Sequence, residues 1–255
     1  MAENKLHALL AVESDLRKKS ALIKGETRDT FTKKQEHFDG LTKTYSPFSD
    51  STVNAEVIPP EVKEVVTTVA DKISWTLESV VRAIDARASI NETNASGTAM
   101  ADLVLGDKTL TLSALSLLEL EKDVQSLRDE VYKNIPTLDP TKTWVKDTDA
   151  GDHLYQTGVE TKIRTNKINE PFQLAPATDK HQAQVQLVSK DVQVGKWETI
   201  YKSGRVTVAQ KAKVLGRLDD LLLTIKQARS KANEAAAVQV KVGDVIFGFI
   251  NEGVF

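Results

Sequence analysis

The sequence predicts an α+β fold, with long helices carrying coiled-coil-like seams beside a small antiparallel β-sheet. Three observations lead there. From Val208 to Ala232, apolar residues recur at Val208, Ala212, Leu215, Leu218, Leu222, Ile225 and Ala232, and the first six are separated by steps of 4, 3, 3, 4 and 3. That is the spacing of one narrow helical stripe. A wider stripe, Val62, Val65, Val66, Val69, Ile73, Leu77, Val80, Val81 and Ile84, has the breadth of a core helix. Gln184-Val185-Gln186-Leu187-Val188 and Trp197-Glu198-Thr199-Ile200-Tyr201 alternate instead with the period of two that marks strands.

Taken in order, residues 1–41 read as an N-terminal long helix. Leu9, Val12, Leu16 and Ile23 form a thin seam that needs a partner, Gly25 weakens the middle, and Gly40 is placed to cap the end. Residues 42–60 read as a linker closed by Pro59-Pro60. Residues 61–143 form a helical core with a β-hairpin: a helix over 61–88, a turn-rich break over 91–97, and a hairpin over 101–112 around Gly106-Asp107. Ser113 is placed to cap a further helix over 114–134, with Leu115, Leu118, Val124 or Gln125, Leu127 and Val131 inward. Pro136 and Pro140 end it.

Residues 144–205 read as an antiparallel β region. One strand is expected through Val188, a turn over 189–195 at Gly195, and a returning strand from Trp197. A third strand is expected over Val159–Ile168, with a loop over 169–180 holding Pro171 and Pro176. Residues 206–255 combine a basic amphipathic helix with a C-terminal strand, Val238–Ile250, broken at Gly243-Asp244.

Composition narrows the function classes. The 255 residues are 40% apolar and 27% charged, with a net charge of −2, so the whole chain has no electrostatic pull toward nucleic acid or acidic membranes. Locally the charge is uneven. Residues 196–233 hold nine Lys/Arg against three Asp/Glu, and residues 97–160 hold twelve acids against six bases. Such segments attract each other, within a chain or between copies. The absence of cysteine excludes disulfides and thiolate chemistry and fits a reducing, cytoplasmic setting. No apolar run approaches the ~18 residues that span a bilayer, and no signal peptide opens the chain, so no membrane partner is expected.

No catalytic motif emerges. His7, His37, His153 and His181 have no companions at metal-ligand spacing. The run Asp147-Thr148-Asp149-Ala150-Gly151-Asp152 starts like a calcium loop, but Gly151 and Gly158 stand at positions 5 and 12, where ligands are required. The glycines are too scattered to cradle a phosphate, and Glu119 and Glu121, two residues apart on a helix, point to different faces. No cofactor, no metal and no enzymatic activity is expected. Basic residues offer more: Lys202, Arg205, Lys211, Lys213 and Arg217 are candidate nucleic-acid contacts, with Lys162, Arg164 and Lys167 as a second stretch.

Several short runs occur together in order: Ala11-Val12-Glu13, His37 through Pro47, Pro136 through Pro140 with Trp144, Lys180-His181 with Ala183-Gln184-Val185, Val194 through Trp197, and Phe247 through Ile250. In this order the chain resembles an uncharacterised family of actinobacterial and actinobacteriophage proteins known only as a domain of unknown function. Residues 90–110 also resemble, faintly, the septicolysin-like helical family. The resemblance spans nearly the whole chain and implies one complete unit in a bacterial or phage setting. It implies no mechanism. The expected function is a non-enzymatic, self-assembling structural or scaffold protein. It would form a homo-oligomer through Leu9, Val12, Leu16 and Ile23 and through Leu215, Leu218, Leu222 and Ile225. The alternatives are a module binding nucleic acid or a host protein through the basic C-terminal helix, and an enzyme whose site is scattered along the sequence.

Overall fold

The computed structural model describes residues 6–48, 57–95, 97, 99–149, 151, 153–175, 177 and 181–234. Among these the fold is α+β. Its elements are α1 (Leu6–Lys33), β1 (Asp39–Pro47), β2 (Glu61–Lys63), α2 (Val69–Asn94), β3 (Met100–Leu105), β4 (Lys108–Ser113), α3 (Ala114–Glu130), β5 (Trp144–Lys146), β6 (Tyr155–Thr157), β7 (Glu160–Ala175), β8 (Gln184–Ser203) and α4 (Val208–Asn233). They group into two compact units that interleave along the chain. The helical unit takes residues up to 24, 77–133 and those from 213 on; the sheet unit takes 25–76 and 134–212. The sequential division at 41, 60, 143 and 205 is therefore not the spatial one, because α1, α2 and α4 each give residues to both units.

The helical unit has a core of Leu103, Leu117 and Val124 packed with Leu222, Ile225, Ala228 and Ala232. Leu103 belongs to the β3–β4 hairpin, which pairs from Met100↔Ser113 to Leu105↔Lys108 as expected. Ser113 Oγ accepts the Ser116 N–H at 3.3 Å, capping α3. Glu92 ties this cap to α2 by accepting the Ser113 N–H and hydroxyl, each at 2.9 Å. The inward face of α3 is as expected at Val124, Leu127 and Val131, all buried, but differs in the first turn, where Leu117 is fully buried and Leu115 is exposed. Between α3 and α4, Arg229 pairs with Glu121 at 3.3 Å and Arg128 with Asp219 at 2.7 Å.

In the sheet unit the strand order is β2-β1-β8-β6-β5, with β7 also paired to β8. β1 runs antiparallel to β8 from Asp39↔Ser203 to Pro47↔Gly195, so residues 42–47 are strand rather than linker. Gly40 lies inside β1, facing Lys202, and does not cap a helix. α2 starts later than its apolar stripe. Thr68 and Asp71 form a capping box, with the Asp71 N–H donating to Thr68 Oγ1 at 3.1 Å and the Thr68 hydroxyl to Asp71 Oδ2 at 2.7 Å. That box sets the first turn at Val69 and leaves Val62 in β2; at its other end α2 runs into the expected break and stops at Asn94.

The expected turn over 189–195 does not exist. β8 is one strand, and β7 pairs along it from Glu160↔Thr199 to Ala175↔Gln184, with Pro171 inside the ladder opposite Leu187. Gly195 marks a register shift rather than a reversal, since Arg164 faces Gly195 and Thr165 faces Gln193. A side chain at 195 would press on Tyr45, whose ring carbon Cζ lies 2.6 Å from where a Cβ would stand. The glycine serves close packing. The expected strand over 238–250 lies outside the described residues.

Candidate functional site

The two predicted seams have different fates. Leu222 and Ile225 are buried in the helical core, with Leu218 packed partly against it. Leu222 and Ile225 thus pack inside their own chain and leave almost no surface for a second copy. Leu215 is half-buried. On α1, Leu9, Leu16 and Ile23 are half-buried and Val12 is exposed, along with Leu10 and Leu22.

The basic residues are partly spent as well. Arg205 holds Asp39 in a bidentate pair, Nε to Oδ1 at 2.9 Å and Nη2 to Oδ2 at 2.5 Å. Lys211 Nζ donates to the Ile135 carbonyl at 2.8 Å, and burial pushes its pKa down. Lys202 sits half-buried in β8. Lys213 and Arg217 remain exposed on α4. The expected basic helix face is thus not a free set of five cations, because structure-bearing bonds consume Arg205 and Lys211.

Sequence reasoning missed the ion-pair centre of the helical unit. Arg87 Nη2 reaches Glu13 Oε1 at 2.9 Å and Nη1 reaches Glu119 Oε2 at 2.8 Å. Asp123 lies beside them on a cavity of about 310 Å³ that Arg17, Lys24 and Lys122 also line. Ser20 and Ser126 line the same cavity, with Lys24 Nζ donating to Ser126 Oγ, and no histidine lines it. Arg87 is shared by two carboxylates, and Lys122 at 3.0 Å from Glu119 supplies a second cation. These ion pairs tie α1, α2 and α3 together. Their members lie far apart in sequence, so only an unusually polar position on an apolar helix stripe, Arg87, could have hinted at them.

Among the described residues no cluster of three or more His, Asp or Glu has the arrangement to hold a metal ion. Asp147 and Asp149 form a turn, with the Asp149 N–H donating to Asp147 Oδ1 at 3.3 Å. His153 and His181 are exposed, and the His37 carbonyl accepts the N–H groups of Val66 at 3.0 Å and Thr67 at 3.2 Å. No helix among the described residues is long and apolar enough to cross a membrane.

The most unusual surface is the outer part of the β7–β8 ribbon. From Thr165↔Gln193 to Ala175↔Gln184 the two strands have no third strand beside them among the described residues. Opposed residues share a face, so Phe172 and Val188 lie on one side and Pro171, Val185 and Leu187 on the other, with Leu174 in a bulge just before Ala175. Phe172 is 60% exposed and Leu187 67%.

A family model described as a family of unknown function, DUF7873, matches residues 3–253. The chain belongs to the DUF7873 family. No curated protein and no solved structure matches it. Membership in DUF7873 agrees with the resemblance to a domain of unknown function and assigns no activity to the ribbon or to the Arg87 centre.

Proposed function

We propose that the chain is a non-enzymatic structural protein of a bacterium or phage that self-assembles in the cytoplasm, its copies joined through the β7–β8 ribbon. The carrying observation is a two-stranded ribbon with apolar side chains exposed on both faces. An isolated two-stranded ribbon is marginal in water, so a second surface covering it would be stabilising. Burying a Phe or Leu side chain contributes roughly 1.5–3 kcal/mol. The edge of β7 along the ribbon is blunted by Pro171 and by Lys167 and Glu170, which discourages open-ended edge pairing and favours contact through faces. A closed symmetric oligomer satisfies both conditions. The cysteine-free composition supports a reducing compartment.

Light scattering coupled to size exclusion tests this. The wild-type chain is expected as a discrete oligomer, and Phe172→Ser with Leu187→Ser as a monomer with unchanged far-UV ellipticity. A wild-type monomer at all concentrations, or an oligomer unmoved by the double substitution, overturns the reading.

A further inference from the structure

We propose that the open face of the six-stranded sheet binds single-stranded nucleic acid. Register places Tyr45, Trp197 and Lys162 side by side across β1, β8 and β7, and Lys43, Thr199 and Glu160 beside them. Tyr201 and Leu41 follow on the same face. Two concavities lie here, of about 330 Å³ toward Trp144 and Arg205 and about 550 Å³ toward Trp197 and Arg164. They share Leu41 and Tyr201 in their walls and so adjoin along this face, together called the groove below.

The groove combines ring faces with cations. Lys142 Nζ stands 3.4 Å from the Tyr201 ring centroid, Lys43 Nζ 4.5 Å from that of Trp197, and the Arg164 guanidinium 5.4 Å from that of Tyr45. Trp144 is held by its indole N–H donating to the Asp139 carbonyl at 2.8 Å. Lys63 and Lys162 face the groove with no carboxylate partner among the described residues. Stacked bases need rings set beside phosphate-binding cations, and this face has both.

The cations over the rings are released at small cost. Lys142 pairs with Glu160 at 2.7 Å and Lys43 with Glu61 at 3.8 Å, and both glutamates are more than half exposed. Exposed pairs of this kind are weak, so a base can take the ring while the lysine turns to a phosphate. Cations spread along the groove from Lys63 to Arg164 suit a chain of phosphates better than a single one. The half-buried rings of Trp144, Trp197 and Tyr201, with Tyr45 buried beneath them as support, suit unpaired bases and cannot reach those inside a duplex. The sequence pointed to the basic helix instead because the sheet face is built from five separate stretches of chain.

The experiment is fluorescence anisotropy with a labelled oligo-dT or oligo-U of about 12 nucleotides. Expected is single-strand binding that weakens at least about tenfold between about 50 and 200 mM salt. Lys63→Glu with Lys162→Glu, two exposed positions, is expected to weaken binding at least about tenfold with unchanged ellipticity. Trp144→Leu is expected to weaken binding while keeping the salt dependence, the signature of lost stacking rather than lost charge. No binding at low salt overturns the proposal. So does duplex bound as tightly as single strand, a mononucleotide that competes as well as the oligonucleotide, or a Lys63/Lys162 variant that binds like wild type. Oligomer mass measured on the same samples keeps this outcome separate from that of assembly, since none of these substitutions touches the outer ribbon.

Discussion

Burial pushes the Asp123 carboxyl up from its ordinary range, and the Arg87, Lys24 and Arg17 cations nearby offset only part of that cost. A raised aspartate is more easily protonated folded than unfolded, so its charge subtracts stability at neutral pH. Asp123→Asn is therefore expected to raise the melting temperature at pH 7. The gain should vanish near pH 3, below the ordinary aspartate value of 3.8, where both states are protonated. Thermal melts at the two pH values check this. Glu119 has the opposite sign: the Lys122 hydrogen bond, with help from Arg87, holds it low against desolvation. Glu92 is pushed up by desolvation but held lower still by hydrogen bonds from Ser116 and Ser113. Both contribute stability that is present above the ordinary glutamate value of 4.5 and lost as pH falls through their lower folded values. At Gly195 the issue is space. Gly195→Ala drives a methyl into the Tyr45 ring, whose hydroxyl donates to the Val194 carbonyl at 3.2 Å. A loss of about 1–3 kcal/mol is expected in denaturant titration.

Helix starts are decided by caps more than by apolar stripes. α4 begins with a second capping box: the Gln210 N–H donates to Thr207 Oγ1 at 3.1 Å and the Thr207 N–H to Gln210 Oε1 at 2.8 Å. Thr207→Ala is expected to cost about 1 kcal/mol. Ser113→Ala should cost more, because Glu92 then loses a donor as α3 loses its cap. Denaturant midpoints of the two variants check the order. Local signals of this kind made the Gly106-Asp107 hairpin, the Ser113 cap and the extent of α4 readable from sequence. The start of α2 was misread because the apolar stripe runs upstream of Thr68 into β2. The turn at Gly195 was misread because its glycine answers to Tyr45, about 150 residues earlier, and leaves no local trace. The Arg87 centre was invisible for the same reason: Glu13, Arg87 and Glu119 come from three helices.

For the molecule as a whole, the interleaving of segments governs stability. The helical core joins Leu103 and Leu117 to Leu222 and Ile225. Ile225→Ala is expected to cost about 2–5 kcal/mol through the cavity it leaves. The three tryptophans, Trp75, Trp144 and Trp197, all belong to the sheet unit. Far-UV ellipticity of this variant should therefore lose its midpoint early, and tryptophan fluorescence reports on the other unit separately. Truncation before α4 is expected to remove half of the helical core and leave its hairpin and α3 without their packing partner.

The same arrangement sets a timetable for synthesis. Leu103, Leu117 and Val124 leave the ribosome long before Leu222 to Ala232. At ~5–20 residues per second, the nascent chain carries an uncovered apolar surface for roughly 5–25 seconds. During that interval it exposes the kind of apolar surface that chaperones exist to shield, and the core closes only once the last helix is made.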